Sequence, residues 1–382
     1  MTSKATRYLA RWLLGARRAA VALLVLGLAG AAQAQILIGQ PTGVTGPVAA
    51  GVGENLQGIH LYLDHVNAQG GVNGEQIKLI TLDDKFDPRL TADNARKLIE
   101  DHKVVALFMT RGTPNSQAVL PLLAQYRIAL IAPSTGAMVF HRPVNPYVFN
   151  VRSSYQAESE KAIEHLHTTS QERIAVVHAD DSFGADALAG AMKGFERFKF
   201  QPAAVIKADR NKPDYAAIVP QLLATHPQAV LWFGSSAAVS EGVKALRKAG
   251  SAAQIVTLSN NASSGFIKQL EGASRGVVVT QVFPNVHAMG YGINREAAAL
   301  AKARGDIELS PQLMEGFASA KVLVEALRRA GPKPSRDRVI AALNGITDFD
   351  LGGLELSFSP GNHTGLKFVE LSMIDRSGKF MR

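Results

Sequence analysis

From residue 35 to the end of the chain, short runs rich in Val, Ile and Leu alternate with longer stretches whose apolar residues recur every three or four positions. That alternation narrows the possible folds more than any other feature, because the two periods belong to strands buried on both faces and to the helices that cover them. Strands are expected at 36–39, 77–82, 104–110, 128–132, 174–178, 229–233, 254–258 and 276–280. Helices are expected near 53–69, 90–102, 115–126, 156–168, 184–197, 214–225, 236–249, 293–304, 311–330 and 335–344. The first helix shows the pattern plainly: Leu56, Ile59, Leu63 and Val66 form one stripe, and Gly70-Gly71 supplies a left-handed stop. The fold class is therefore α/β with parallel-type sheets.

A single sheet of this length is possible, but the 348 residues from Gln35 onward suit two Rossmann-like lobes better. Residues 150–155 separate two runs of strand-helix units. After the last long helices, strands are expected at 354–358 and 368–373, with a short polar stretch at 359–363 between them. Alternation repeated in two halves predicts a cleft between the halves.

The first 34 residues read differently. Lys4, Arg7, Arg11, Arg17 and Arg18 stand there with no acid, followed by an uninterrupted apolar run at 19–31 and then Ala32-Gln33-Ala34. Thirteen apolar residues fall short of the roughly 18 to 20 that span a bilayer, so the segment is expected to be a signal peptide cleaved after Ala34. No cysteine follows it, which leaves no lipid anchor and points to a soluble periplasmic protein. Without those five cations, 36 Lys and Arg face 32 Asp and Glu. So mild a balance, with no basic run, offers nothing for nucleic acid to bind.

Ligands of open parallel sheets bind beyond the carboxyl ends of the strands, where helix N-termini also point. Those ends carry residues 110–116 with Arg111, Gly112 and Thr113, then residues 133–136 with Ser134, Thr135 and Gly136. In the second half they carry residues 180–184 with Asp181 and Phe183, then Ser235, then residues 259–263 with Ser259 and Asn260. Small hydroxyls beside glycine suit an anion. Each Ser, Thr or Asn also suits an N-cap, worth about 1 kcal/mol; five such ends facing one cleft favour a small polar ligand. Tyr155, Phe183 and Phe283 are candidate apolar walls or core residues.

Other chemistry has no local signature. There is no phosphate-cradling Gly-Lys-Ser/Thr loop, and Gly51, Gly53 and Gly58 lack dinucleotide spacing. His165 and His167 lie two apart on a helix and face different ways. Asp83, Asp84 and Asp87 lack the rest of a calcium loop, and no serine sits in a nucleophile elbow. No cofactor, metal site or enzymatic activity is expected.

Several stretches together resemble the solute-binding proteins of ABC importers, in the leucine/isoleucine/valine-binding group with a type I periplasmic binding fold. They are Thr45-Gly46-Pro47, residues 66–72, Asp83-Asp84 with Asp87-Pro88, Ala132-Pro133-Ser134-Thr135 and Asp181-Ser182-Phe183-Gly184. The resemblance implies two lobes joined by three crossovers, near Tyr155, Gln281 and His363. One lobe would comprise 35–155 plus 282–362 and the other 156–281 plus 363–382. It also implies hinge closure over a ligand and docking of a monomer on a membrane permease. By the same resemblance Thr113 holds a ligand carboxylate, Ser134 and Gly136 add contacts, and Phe183 covers the ligand.

Two departures bear on specificity. Gly51 stands where leucine-type binders place a tyrosine, and Ser259 or Asn260 stands where they place the glutamate that holds the ligand ammonium. A buried ammonium without a carboxylate is costly, so either Asp181 takes that role or the ligand has none. Arg111 either grips a second carboxylate or faces solvent. The expected function is capture of a small carboxylate-bearing ligand, an amino acid or an organic or aromatic acid, for transport; a ligand sensor of the same fold is the alternative.

Overall fold

The structure, a computed structural model, describes residues 35–381. The expected signal peptide lies outside the described residues. The first lobe is built on five parallel strands, β1 (Gln35–Thr42), β2 (Gln76–Asp83), β3 (Ala106–Phe108), β4 (Ala129–Ile131) and β5 (Val148–Phe149), in the order β2-β1-β3-β4-β5. The second lobe carries β6 (Ile174–Ala179), β7 (Ala204–Ala208), β8 (Ala229–Phe233), β9 (Gln254–Thr257) and β10 (Val277–Gln281), again parallel. There β13 (Glu370–Ile374) and β14 (Phe380–Met381) add an antiparallel edge, so the order is β14-β13-β10-β9-β8-β6-β7.

Side chains alternate across the buried strands, as a pleat requires. Ile174 and Val176 face a core that runs on under the first sheet, whereas Ala175 and Val177 face a separate core with Trp232 and Phe266. A third core fills the other face of the first sheet with the 20-residue helices α1 (Ala49–Ala68) and α10 (Pro311–Ala330). Those two helices pack backbone to backbone. A Cβ on Gly58 would meet the Leu313 carbonyl oxygen at 2.0 Å, and one on Gly316 would meet that of Asn55 at 2.1 Å.

The intervening helices are α2 (Pro88–Glu100), α3 (Thr113–Tyr126), α4 (Tyr155–Thr168), α5 (Ser182–Phe198), α6 (Tyr215–Ala224), α7 (Ser236–Lys248), α8 (Ser264–Gln269), α9 (Gly292–Ala303) and α11 (Arg336–Asn344). Side-chain caps begin most of them: Asp87 for α2, Ser154 for α4, Asp181 for α5 and Ser235 for α7. Two segments linking the lobes run side by side, since Asn150 donates to His363 O at 2.9 Å and receives from Gly365 N at 2.8 Å.

One expected strand needs correction, and the sequence pattern did not anticipate β5, β7, β14 or α8. β7 is a half-exposed edge strand whose short pattern is too weak to stand out, and α8 is a six-residue helix below the length that periodicity resolves. The segment expected as a strand at 354–358 pairs only over β12 (Glu355–Leu356), in a small hairpin with β11 (Phe349–Asp350) outside both main sheets. Gly352 and Gly353, both at positive φ, turn that hairpin.

Candidate ligand-binding cleft

Both sheets place their second strand outside the first and their third on its other side, which creates a switch point between β1 and β3 and another between β6 and β8. Connections leave such neighbours toward opposite faces and open a crevice beyond their carboxyl ends. The two crevices face each other across a narrow, nearly closed cleft. At its first-lobe wall, β3 and β4 end in left-handed backbone at non-glycine residues, Met109 (φ 46°) and Ala132 (φ 51°). Such conformations are uncommon and gather at functional sites.

Of the residues read from sequence, Arg111, Gly112, Thr113, Tyr155, Asp181, Phe183, Ser235 and Asn260 line this one cleft. Thr113 is the first residue of α3, entered through Gly112 at φ 91°, and its hydroxyl lies 2.7 Å from that of Thr135. Tyr155 and Phe183 meet edge to face with ring centres 5.0 Å apart. Asp181 accepts from Gly184 N–H at 2.9 Å as the cap of α5, and Ser235 likewise caps α7.

The others do not line it. Ser134, Thr135 and Gly136 lie beneath the wall: Ser134 receives from Arg111 at 2.9 Å and donates to Glu315 at 3.0 Å. A Cβ on Gly136 would stand 2.7 Å from Tyr155 N, so the residue secures a close chain passage. Ser259 is committed to the ion cluster described below. Phe283 is packed with Val282 and Val286 in the first-lobe core and does not reach the cleft.

Arg111 is the central charge. Its guanidinium is buried and donates to Ser134 Oγ (2.9 Å), Asn55 Oδ1 (3.4 Å) and, across the cleft, the Asn260 carbonyl oxygen (2.6 Å). Burial draws its pKa below the ordinary value, and Glu315 pulls it back up. Among the described residues no carboxylate pairs with it directly; Ser134 relays it to Glu315. A Cβ on Gly51 would lie 3.4 Å from the Arg111 Nη2, so the glycine leaves room where the guanidinium sits.

Sequence reasoning missed a second arginine. Arg210, at the end of β7, pairs with Asp181 at 3.3 Å, donates to Asn115 Oδ1 at 2.8 Å and lies 4.3 Å over the Phe86 ring. It thus ties the second lobe to two first-lobe residues. Burial lowers its pKa, and Asp181, Asp84 and Asp87 oppose that. Its strand went unrecognised, so it gave no signal. Phe86, at φ 63°, follows the Asp83-Asp84 turn, which Thr45 joins by two hydrogen bonds to Asp83, 3.1 and 2.6 Å long.

A buried ion cluster was missed too. Arg152 pairs with Glu158 at 2.5 Å and Glu315 at 3.5 Å, all three nearly fully enclosed. It also donates to Ser259 Oγ at 2.5 Å and stacks 4.8 Å over Tyr155. Burial would lower its pKa, but Glu158, Tyr155 and Glu315 raise it beyond the ordinary value. Charged residues ordinarily signal surface, so periodicity could not place them inside.

The sequence pattern of the periplasmic binding protein family matches residues 35–379. A Leu/Ile/Val-binding protein homologue from Brucella melitensis is 25% identical over 84% of this chain and 86% of its own length. A substrate-binding periplasmic protein from Ralstonia solanacearum superposes with a TM-score of 0.84 at 32% identity, over 91% of this chain and 99% of that one. The solute binding protein of an ABC transporter from Rhodopseudomonas palustris, in complex with 3,4-dihydroxy benzoic acid, superposes with a TM-score of 0.79 at 21% identity, over 91% and 95%. By its matched sequence and its two-lobed α/β fold, this chain belongs to the periplasmic binding protein family, among the type I binders related to the branched-chain amino-acid group.

Proposed function

We propose that the chain captures a small carboxylate-bearing solute between its lobes and delivers it, as a periplasmic monomer, to an ABC permease. The observation that carries this reading is Arg111: a buried cation facing the cleft without a directly paired carboxylate, beside the Thr113 hydroxyl and the N-terminus of α3. A buried charge is costly until something pairs with it, and a ligand carboxylate at the start of α3 would pair with Arg111 and meet the free N–H groups of that helix. The Rhodopseudomonas neighbour, which holds an aromatic acid, lends support to an acid as cargo.

Closure would follow from contacts to both lobes, since a ligand shifts an equilibrium only by its differential affinity for the two states. The test is calorimetry on protein unfolded and refolded to strip carried ligand, titrated with amino acids, dicarboxylates, aromatic acids and the corresponding amides. Acids are expected to bind and their amides to fail. Thr113→Ala is expected to weaken the best acid by more than about 1 kcal/mol. An amide that binds as well as its acid, or unchanged affinity in the variant, would remove the basis for this assignment.

A further inference from the structure

The far side of the cleft says what the rest of the ligand carries. Asn260 follows β9, lines the cleft and is 9% exposed. Its amide NH2 donates to Gly234 O at 2.9 Å and to Asn261 Oδ1 at 3.1 Å, and the carbonyl acceptor fixes which way the amide points. Its Oδ1 is left buried with no hydrogen-bond partner among the described residues. An unpaired buried acceptor costs free energy comparable to a lost hydrogen bond, so this atom awaits a donor.

An ammonium and a hydroxyl could both donate, and the charges around the cleft choose between them. Its charged lining residues are Arg111, Arg210 and Asp181. Asp181 is already engaged, by Gly184 N–H on one oxygen and Arg210 on the other. On the lining itself two guanidiniums against one committed carboxylate leave an excess positive charge, although Glu315 behind Ser134 and Asp84 and Asp87 near Arg210 act on them from behind. A ligand carboxylate neutralises it, whereas an ammonium on the same ligand would restore it beside Asn260, whose own carbonyl oxygen is held by Arg111 at 2.6 Å. A neutral amide oxygen at Asn260, where an ammonium would call for a carboxylate, accepts from an uncharged donor without that conflict.

We infer that the ligand is a carboxylate bearing an uncharged hydrogen-bond donor, a hydroxyl in its simplest form, read by Asn260 Oδ1, and not a zwitterionic amino acid. The inference rests on the reading that the cleft binds a carboxylate, and its experiment separates the two. Ligand-stripped protein is titrated with two matched sets. One is 2-hydroxy-4-methylpentanoate, leucine and 4-methylpentanoate; the other is 4-(hydroxymethyl)benzoate, 4-(aminomethyl)benzoate and 4-methylbenzoate. In whichever set binds, the hydroxy acid is expected to be at least about tenfold tighter than both companions. Asn260→Ala should bring the hydroxy acid level with its donor-free companion, and Asn260→Asp should move preference toward the ammonium member; melting curves establish that each variant is folded. If the ammonium or donor-free member of a binding set equals or exceeds the hydroxy acid in the unmutated protein, the inference falls and the carboxylate reading stands. If none of the six acids binds, both fall.

Discussion

If the two lobes part and close around the cleft, the contact between α1 and α8 is made only on closing, and one methyl group should spoil it. Glu54 on α1 accepts from the N–H groups of Gly265 at 2.9 Å and Ser264 at 3.2 Å, at the N-terminus of the second-lobe helix. A Cβ on Gly265 would lie 2.4 Å from the Cβ of Ala50. Carbon atoms in ordinary contact stay about 3.5–4.0 Å apart, so Gly265→Ala forces the helices apart by about 1 Å. That carries the Gly265 N–H beyond hydrogen-bond reach of the carboxylate. A hydrogen bond to a charged group contributes about 1.5–3 kcal/mol, roughly ten- to 150-fold in the closed-to-open ratio and hence in apparent affinity. The same change raises helix propensity by up to about 1 kcal/mol, so each lobe should be no less stable. Calorimetry with the tightest acid, beside a ligand-free melting curve, should therefore show weakened binding with an unchanged or higher melting temperature. Equal affinity in the two proteins would refute the argument that this contact belongs to closure.

Two further outcomes concern the buried charges. Arg152→Met strands the fully buried Glu158 with only the Ser259 N–H at 2.9 Å and the Thr280 hydroxyl at 2.5 Å, which should cost about 3–5 kcal/mol. Spread over an unfolding entropy of about 0.7 kcal/mol/K for a chain this long, that is a fall of about 4–7 °C by scanning calorimetry; a fall below about 1 °C would show that the pair contributes little. Asp84 is fully buried, and that burial pushes its carboxyl up to about 6 from an ordinary 3.8, against hydrogen bonds from Thr91 and Phe86. Burial lowers His141 to about 4. The folded protein therefore holds the Asp84 proton more tightly than the unfolded chain and loses up to about 3 kcal/mol as pH rises from 3.8 to 6, while His141 makes it lose a similar amount as pH falls from 6.5 to 4. The two slopes oppose each other. Asp84→Asn should expose that of His141 as a steeper loss of denaturant stability between pH 6.5 and 4, and an unchanged profile would contradict the assignment.

How much of this was legible depended on whether a residue's role is written in local pattern. α10 was readable to the residue, because Ser310-Pro311 opens it and Gly331 ends it. The carboxyl-end rule likewise brought Thr113, Asp181, Ser235 and Asn260 to one cleft from four separate segments. What local pattern lacks is any record of pairing between distant charges. Arg152, Glu158 and Glu315 are 163 residues apart in sequence at their widest and read one by one as surface; only the fold shows that they pair with each other. Phe283 failed for the opposite reason. An aromatic just past a strand end fits core and cleft equally, and only the direction of its side chain decides.

The distribution of the cleft charges also bears on why closure should depend on ligand. Arg111 is held on its own lobe by Ser134 and Asn55 and reaches the other only through the Asn260 carbonyl oxygen. Arg210 is held on its own lobe by Asp181 and reaches the other through Asn115, the Phe86 ring and the charges of Asp84 and Asp87. Each lobe therefore presents a guanidinium to the opposite wall, Arg210 towards the Asp84 and Asp87 carboxylates and Arg111 towards a carbonyl oxygen, so closing buries the Arg111 charge in a space with little water to screen it. Without an anion that burial opposes the gains from Glu54 and the cross-lobe hydrogen bonds. A ligand carboxylate reverses its sign, so the arginine that resists closing an empty cleft would favour closing a filled one.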